Sequence, residues 1–214
     1  MTGSPRSGAV LVDDTVHVAA TTIDAVSEGD CLPADRRAAG RLPAWRAREH
    51  LAARALLRRL LSDVVGPDAA AEPLAVRDTG QPYLPRRPDL AVSLSHTDGW
   101  VAAAAGVGVD VGVGVDAQMP FPVSDGIVRR CCTASARAMF ATLAPLDRAL
   151  ELAWIWSVQE ACVKATGEGL AGRPWRIPVE VGQRTGRWQR VRWVALRDRF
   201  ELPVSCAYGT AVPP

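Results

Sequence analysis

Lysine is almost missing from this sequence. Of its 25 basic residues, 24 are arginine and one, Lys164, is lysine. A compositional bias toward arginine in an alanine-rich chain is the plain explanation, and against that bias the single lysine stands out. An excess of charge of one sign is missing too. The 25 basic and 23 acidic residues leave a net charge of +2, which excludes the strongly basic footprint of a nucleic-acid binder. The central uncharged stretch, Gly99 to Val109, is 11 residues long, where a membrane span needs about 18–20. The opening residues MTGSPRSGAVLVDD contain Arg6 but no apolar core of a secretory signal. Five cysteines (Cys31, Cys131, Cys132, Cys162, Cys206) form no CxxC, so neither a zinc site nor a disulfide framework is expected. The expectation is unpaired, buried thiols in a reducing cytoplasm. His17, His50 and His96 are too scattered for a metal cluster. There is no GxSxG elbow, Walker loop or HExxH.

What remains is an ordinary globular composition, 48% apolar and 22% charged over 214 residues. That excludes a mainly disordered chain and suits one domain or two small ones. Alternation around Val10, Val12, Val16 and Val18 predicts one or two strands. Pro43 opens a helix to about Val65, with Leu56, Leu57, Leu60, Leu61 and Val64 on one stripe and Arg46, Arg48, Arg54, Arg58 and Arg59 on the remaining surface. Residues 66–90 read as a proline-rich loop. AVSLSH, WVAAAAGVGV and VGVGVD read as short strands, and MPFPVSDG as a loop. A short helix is expected from Thr133 to Ala144 and a longer one from Asp147 to Thr166, ended by Gly167. GQRTGRWQRVRW and LPVSCAYG read as a terminal hairpin region, and the last residues, AVPP, as frayed. A division near residue 106 would give two halves, 1–106 and 107–214.

GVGVDA at 112–117 fits a loose dinucleotide-binding pattern, but that turn works only when a helix starts at once. Pro120 and Pro122 forbid it here. The chemistry lies in SLSHTDG (93–99), VGVDAQ (113–118) and WSVQEACVKATGEGL (156–170). On the long helix Trp154, Val158, Ala161 and Ala165 form an apolar face. Glu160 and Lys164, four apart, share another side, where an ordinary helix-stabilising pair would also sit. Asp116 ends a Val/Gly strand, with Asp110 in the similar GVDVG as its rival; His96 follows an alternating strand. Taken together, Asp116 and Glu160 are suited to hold a Mg²⁺ whose other ligands are phosphate and water. Lys164 then sits on the same phosphates, and His96 with arginines on a further phosphate. That outlines phosphoryl-type transfer by positioning and charge neutralisation.

In order, the arginine-rich helix, G-x-P at 80–82, S-x-SHTDG, VGVDxx and WSxxEAxxKxxGxGL resemble the 4′-phosphopantetheinyl transferases of the larger, Sfp-like type. The resemblance runs from about Arg46 to Gly172. It implies an α+β fold, a pseudo-twofold pair of similar halves with the active site in the cleft between them. The implied activity is Mg²⁺-dependent transfer of the 4′-phosphopantetheine arm of coenzyme A to a serine of an apo acyl or peptidyl carrier protein. Adenosine 3′,5′-bisphosphate is released. By resemblance Asp116 and Glu160 are metal ligands, with Gln118 completing the shell, and Asp116, Glu160 and Lys164 are catalytic. Glu160, a metal-bound water or the substrate can serve as general base. Lys164 is the pyrophosphate contact, Ser95 and His96 contact the 3′-phosphate, and Arg48 and Arg54 are further phosphate clamps. Trp156 is expected to be a packing residue under the site. The 44-residue separation of Asp116 and Glu160 suits the family, as does RRCCTASARA after Asp116, and both favour Asp116 over Asp110.

The resemblance also implies a cytoplasmic monomer without nucleic-acid or membrane partners, whose carrier is an acidic helical bundle. The arginine excess would steer it, and Phe121, between prolines, offers an apolar docking contact. Three positions depart from the pattern: Gln118 replaces an acidic residue, Gln159 a lysine near the phosphates or the carrier, and Gln81 a frequently basic residue. Each removes one charge and none touches the Asp, Glu, Lys set. Two alternatives remain open here: a non-catalytic relative that binds coenzyme A or a carrier, and an unrelated α+β nucleotide-binding or interaction module.

Overall fold

The computed structural model describes residues 8–109 and 112–209. Asp110 and the AVPP end lie outside the described residues. The chain runs β1 (Val10–Asp13), β2 (Val16–Thr22), α1 (Pro33–Ala39), α2 (Ala44–Val64), α3 (Pro67–Ala70), β3 (Ala75–Val76), β4 (Pro82–Tyr83), β5 (Leu90–Thr97), β6 (Trp100–Val107), β7 (Val113–Ala117), α4 (Asp125–Cys131), α5 (Ala134–Phe140), α6 (Pro145–Thr166), β8 (Thr185–Trp188), β9 (Val191–Ala195) and β10 (Val204–Gly209). The fold is α+β. One sheet has the order β1-β2-β6-β5-β4-β3 and the other β7-β10-β9-β8, with antiparallel pairing throughout.

Strand periodicity divides the core. Successive strand residues point to opposite faces. On β5, Leu90, Val92 and Leu94 therefore join Leu56, Leu57, Leu60 and Leu61 of α2 in one apolar cluster. The intervening Ser93, Ser95 and Thr97 face β7 and accept hydrogen bonds from the backbone N–H groups of Val115 (3.1 Å), Ala117 (3.2 Å) and Met119 (3.4 Å). β6 is used twice as well: Val101, Ala103 and Ala105 face α2, whereas Ala102 and Ala104 meet Val113, Val115 and Ala117. A three-hydroxyl ladder thus joins the sheets where a main-chain ladder would otherwise run. The third cluster lies under α6, where Ile155, Val158, Cys162 and Val163 pack with Trp193 and Ala207.

The strands and the two long helices follow the sequence reading, and Gly167 ends α6 in the left-handed conformation (φ 75°). Elsewhere the structure differs. The short helix expected over 133–144 is α5, and a further short helix, α4, precedes it. Ser124 Oγ accepts from Ile127 N (3.3 Å) and starts α4, inside the segment read as a loop. Thr133 Oγ1 accepts from Ala136 N (3.0 Å) and starts α5. Residues 66–90 contain α3 and the β3–β4 hairpin. The terminal hairpin is β8–β9, and β10 lies between β9 and β7. Arg54 and Arg58, expected on the surface, are buried because α1 and α3 fold back over α2. Arg58 pairs with Asp35 at 3.2 Å and donates to the carbonyls of Ala70 (2.7 Å) and Glu72. A buried pair of this kind holds only while every partner is present. All five cysteines are free and buried.

The glycines of GVGVDA serve close packing. At Gly114 a Cβ would lie 1.9 Å from Ala161 O and 2.6 Å from Ala165 N, so α6 rests directly on the β7 backbone. That contact falls within the turn of α6 that carries Glu160 and Lys164. Gly114→Ala is expected to lose about 3 kcal/mol, the upper end of overpacking costs, because the clash is with backbone. The shift will show in the denaturant midpoint with an unchanged m-value.

Candidate active site

Three elements deliver the central cluster. β7 supplies Asp116, β5 supplies Ser95, and α6 supplies Glu160 and Lys164. Lys164 Nζ donates to Asp116 Oδ1 (2.6 Å), Val115 O (3.1 Å) and Ser95 Oγ (3.2 Å). Ser95 Oγ in turn donates to Asp116 Oδ1 (2.8 Å). Asp116 is buried, with its side chain 8% exposed. Glu160 is half-buried, and its Oε1 is enclosed with no hydrogen-bond partner. Burial raises the Glu160 carboxyl above the usual carboxylate range, and the Asp116 charge raises it further; Lys164 opposes both.

An enclosed carboxylate oxygen beside a second carboxylate fits a hard divalent cation. Among the described residues no group of three or more His, Cys, Asp or Glu could hold a metal ion. Asp116 and Glu160 are the residues that could hold a divalent cation, the rest of its ligands coming from outside the chain. Gln118 Nε2 donates to Met119 O (3.0 Å), so the amide is engaged beside the site.

A cavity of about 240 Å³ is lined by Thr79, Gly80, Gln81, Glu160, Lys164 and Gly167. Gln81 Nε2 reaches Lys164 O at 3.3 Å. A second cavity, of about 430 Å³, is lined by Gln118, Phe121, Ile127, Arg130, Trp156 and Trp175. Arg130 stacks over the Trp175 ring at 4.3 Å. Trp156, one turn before Glu160, packs against the core cluster under α6, as expected, and also lines this cavity. Sequence reasoning missed Trp175 and Arg130, although a tryptophan soon after the GxGL segment was a usable signal. A wider cavity of about 780 Å³, between α2 and α3, contains none of the expected site residues.

His96 points to the opposite face of β5 from Ser95. Arg46 Nη1 lies 3.1 Å from its Nδ1 and also contacts Nε2, and Arg46 donates to Glu49 Oε2 at 3.0 Å. The arginine that reaches His96 is thus Arg46, a residue read from the sequence only as surface. Arg48 pairs with Asp24 on an exposed face. Arg54 is buried near Asp35 and Arg58. Neither has a contact with the Asp116 cluster among the described residues. Gln159 is wholly buried, donating to Cys131 O (2.8 Å) and Ile177 O (2.9 Å). It ties α4 to the segment after α6, so the expectation that it removes a cation near the phosphates or the carrier is corrected: it is a structural crosslink.

With this geometry in view, the comparison with known proteins is direct. Residues 106–205 match the family model of the 4′-phosphopantetheinyl transferase superfamily. This part of the chain, just under half of it, is similar to that superfamily. It holds Asp116, Glu160 and Lys164, whereas Ser95 and His96 precede it. A 116-residue stretch is 25% identical to a 4′-phosphopantetheinyl transferase of Bacillus subtilis; it covers 54% of this chain and 50% of that relative. The chain thus aligns with about half the length of this superfamily relative. No helix among the described residues is long and apolar enough to cross a membrane.

All three histidines are held below the ordinary imidazole value. Burial is the first cause for each; Arg54 adds to it at His50 and Arg46 at His96, while Asp35 and Glu49 partly oppose it. His50 Nε2 is enclosed without a partner. A depressed folded-state value means that the unfolded chain binds more protons, so these groups lose stability as pH falls through about 6.5. Urea midpoints are expected to fall between pH 7 and pH 5.5, and His50→Gln to flatten part of that fall.

Proposed function

We propose that the protein transfers the 4′-phosphopantetheine arm of coenzyme A to a serine of an apo acyl or peptidyl carrier protein, with Mg²⁺, releasing adenosine 3′,5′-bisphosphate. The observation that carries this reading is the meeting of the one lysine of the chain with two carboxylates from different elements. In the reaction the carrier serine oxygen bonds to the β-phosphorus of coenzyme A. The bond from that phosphorus to the bridging oxygen breaks, and the nucleotide leaves with its 5′-phosphate. Mg²⁺ bound at Asp116 and Glu160 supplies neutralisation of charge on the pyrophosphate oxygens.

Lys164 places a compact ammonium on the same oxygens, releasing part of its contact with Asp116. Glu160 takes the serine proton. His96 with Arg46 laid against its ring holds the 3′-phosphate. In this reading residues 1–106 supply coenzyme A phosphate contacts and residues 107–214 the metal and catalytic groups. The carrier, an acidic helical bundle, approaches an arginine-rich cytoplasmic monomer. Phe121, at the rim of the apolar cavity, serves as a docking contact.

The test is intact-mass spectrometry of an apo carrier incubated with this protein, coenzyme A and Mg²⁺. One phosphopantetheine arm is expected on the carrier, lost in excess chelator. Glu160→Ala and Lys164→Ala are each expected to slow the gain by about a hundredfold or more. No gain on several carriers, with coenzyme A still bound, would replace this reading with a non-catalytic relative.

A further inference from the structure

A hydroxyl offers one donor and two acceptor lone pairs. Ser95 uses all three: it donates to Asp116 Oδ1, and it accepts from Ala117 N and from Lys164 Nζ. At 4% exposure it has no capacity left for a phosphate, and its neighbour His96 faces the other side of the strand. Lys164 also has three acceptors for its three donors, but with its side chain 27% exposed it is free to turn toward a ligand, which Ser95 is not. Asp116 Oδ1 receives both groups, which fixes the plane of its carboxylate; Oδ2 has no hydrogen bond among the described residues.

We propose that Ser95 is a positioning residue for the Asp116 carboxylate toward a divalent cation, and not a contact for the 3′-phosphate. The proposal rests on the reading of Asp116 and Glu160 as cation ligands. By this account Ser95 locks one carboxylate oxygen against β5 and α6 and leaves the other aimed at the cation. Removing a hydrogen bond to a ligating group commonly weakens metal binding tenfold to a hundredfold, roughly.

Ser93 provides a matched comparison within the same strand. Its hydroxyl accepts from Val115 N (3.1 Å) as that of Ser95 accepts from Ala117 N, but it makes no bond to Asp116. Loss of either hydroxyl leaves one β7 amide without its partner, so thermal stability should fall similarly in Ser93→Ala and Ser95→Ala.

The experiment is Mn²⁺ titration followed by electron paramagnetic resonance, on the full chain without coenzyme A or carrier. Ser95→Ala is expected to weaken Mn²⁺ binding about tenfold, and Ser93→Ala less than about twofold. Ser95→Cys keeps the size but only a weak donor, and should reproduce the weakening even if the alanine variant folds poorly. The preference for coenzyme A over its 3′-dephospho form, measured by calorimetry, should be unchanged in Ser95→Cys. Wild-type Mn²⁺ affinity in the Ser95 variants, or loss of that preference, would overturn the proposal alone. Equal Mn²⁺ binding by wild type and Asp116→Asn would overturn the ligand reading and the proposal with it.

Discussion

One ammonium group organises the centre of this molecule. Lys164 Nζ has three hydrogens and meets three acceptors, one each from the Asp116 carboxylate, the Val115 carbonyl and the Ser95 hydroxyl. These belong to both sheets, and the lysine comes from the helix packed on the second of them. Two carboxylates in a partly desolvated site repel one another, and burial makes the repulsion stronger. Without a cation between them, Asp116 and Glu160 could remain close only if one took up a proton. The lysine therefore serves as a resident positive charge that keeps the acidic pair assembled.

The approach of α6 to β7 makes this geometry possible. A side chain at position 114 would push the helix away at Ala161 and Ala165, the residues that directly follow Glu160 and Lys164. The glycines that superficially suggest a nucleotide-binding turn are thus part of how the site is built, through contact of helix with strand. The site also has polarity. Its side nearer the end of α6 is lined by Thr79, Gln81 and Lys164, and the side one turn earlier by tryptophans and Phe121.

Much of this was legible in the sequence, for identifiable reasons. Glu160 and Lys164 declared themselves because a helix places residues four apart on one side. The strands that carry Ser95 and Asp116 showed period-two alternation. What escaped notice depended on contacts between distant segments. Arg54 and Arg58 read as surface residues because nothing in their helix announces that α1 and α3 cover them. Gln159 read as a lost cation because the two carbonyls it binds come from segments 28 and 18 residues away. The bonds of Ser95 to Asp116 and Lys164 were not legible because they span 21 and 69 residues. Helix α4 escaped because one serine cap outweighed a run of loop-like residues.

The hydroxyl ladder along β5 has a consequence for how the two sheets can evolve. Main-chain ladders are made by atoms that every residue possesses, so no substitution short of proline deletes a rung. Here the rungs between β5 and β7 are the side chains of Ser93, Ser95 and Thr97. Each can be lost or exchanged by a single codon change while both strands keep their own partners. The alignment of one half of the molecule upon the other is therefore written in heritable, separately adjustable letters. The spacing between the two sheets can then drift in small steps without either being rebuilt.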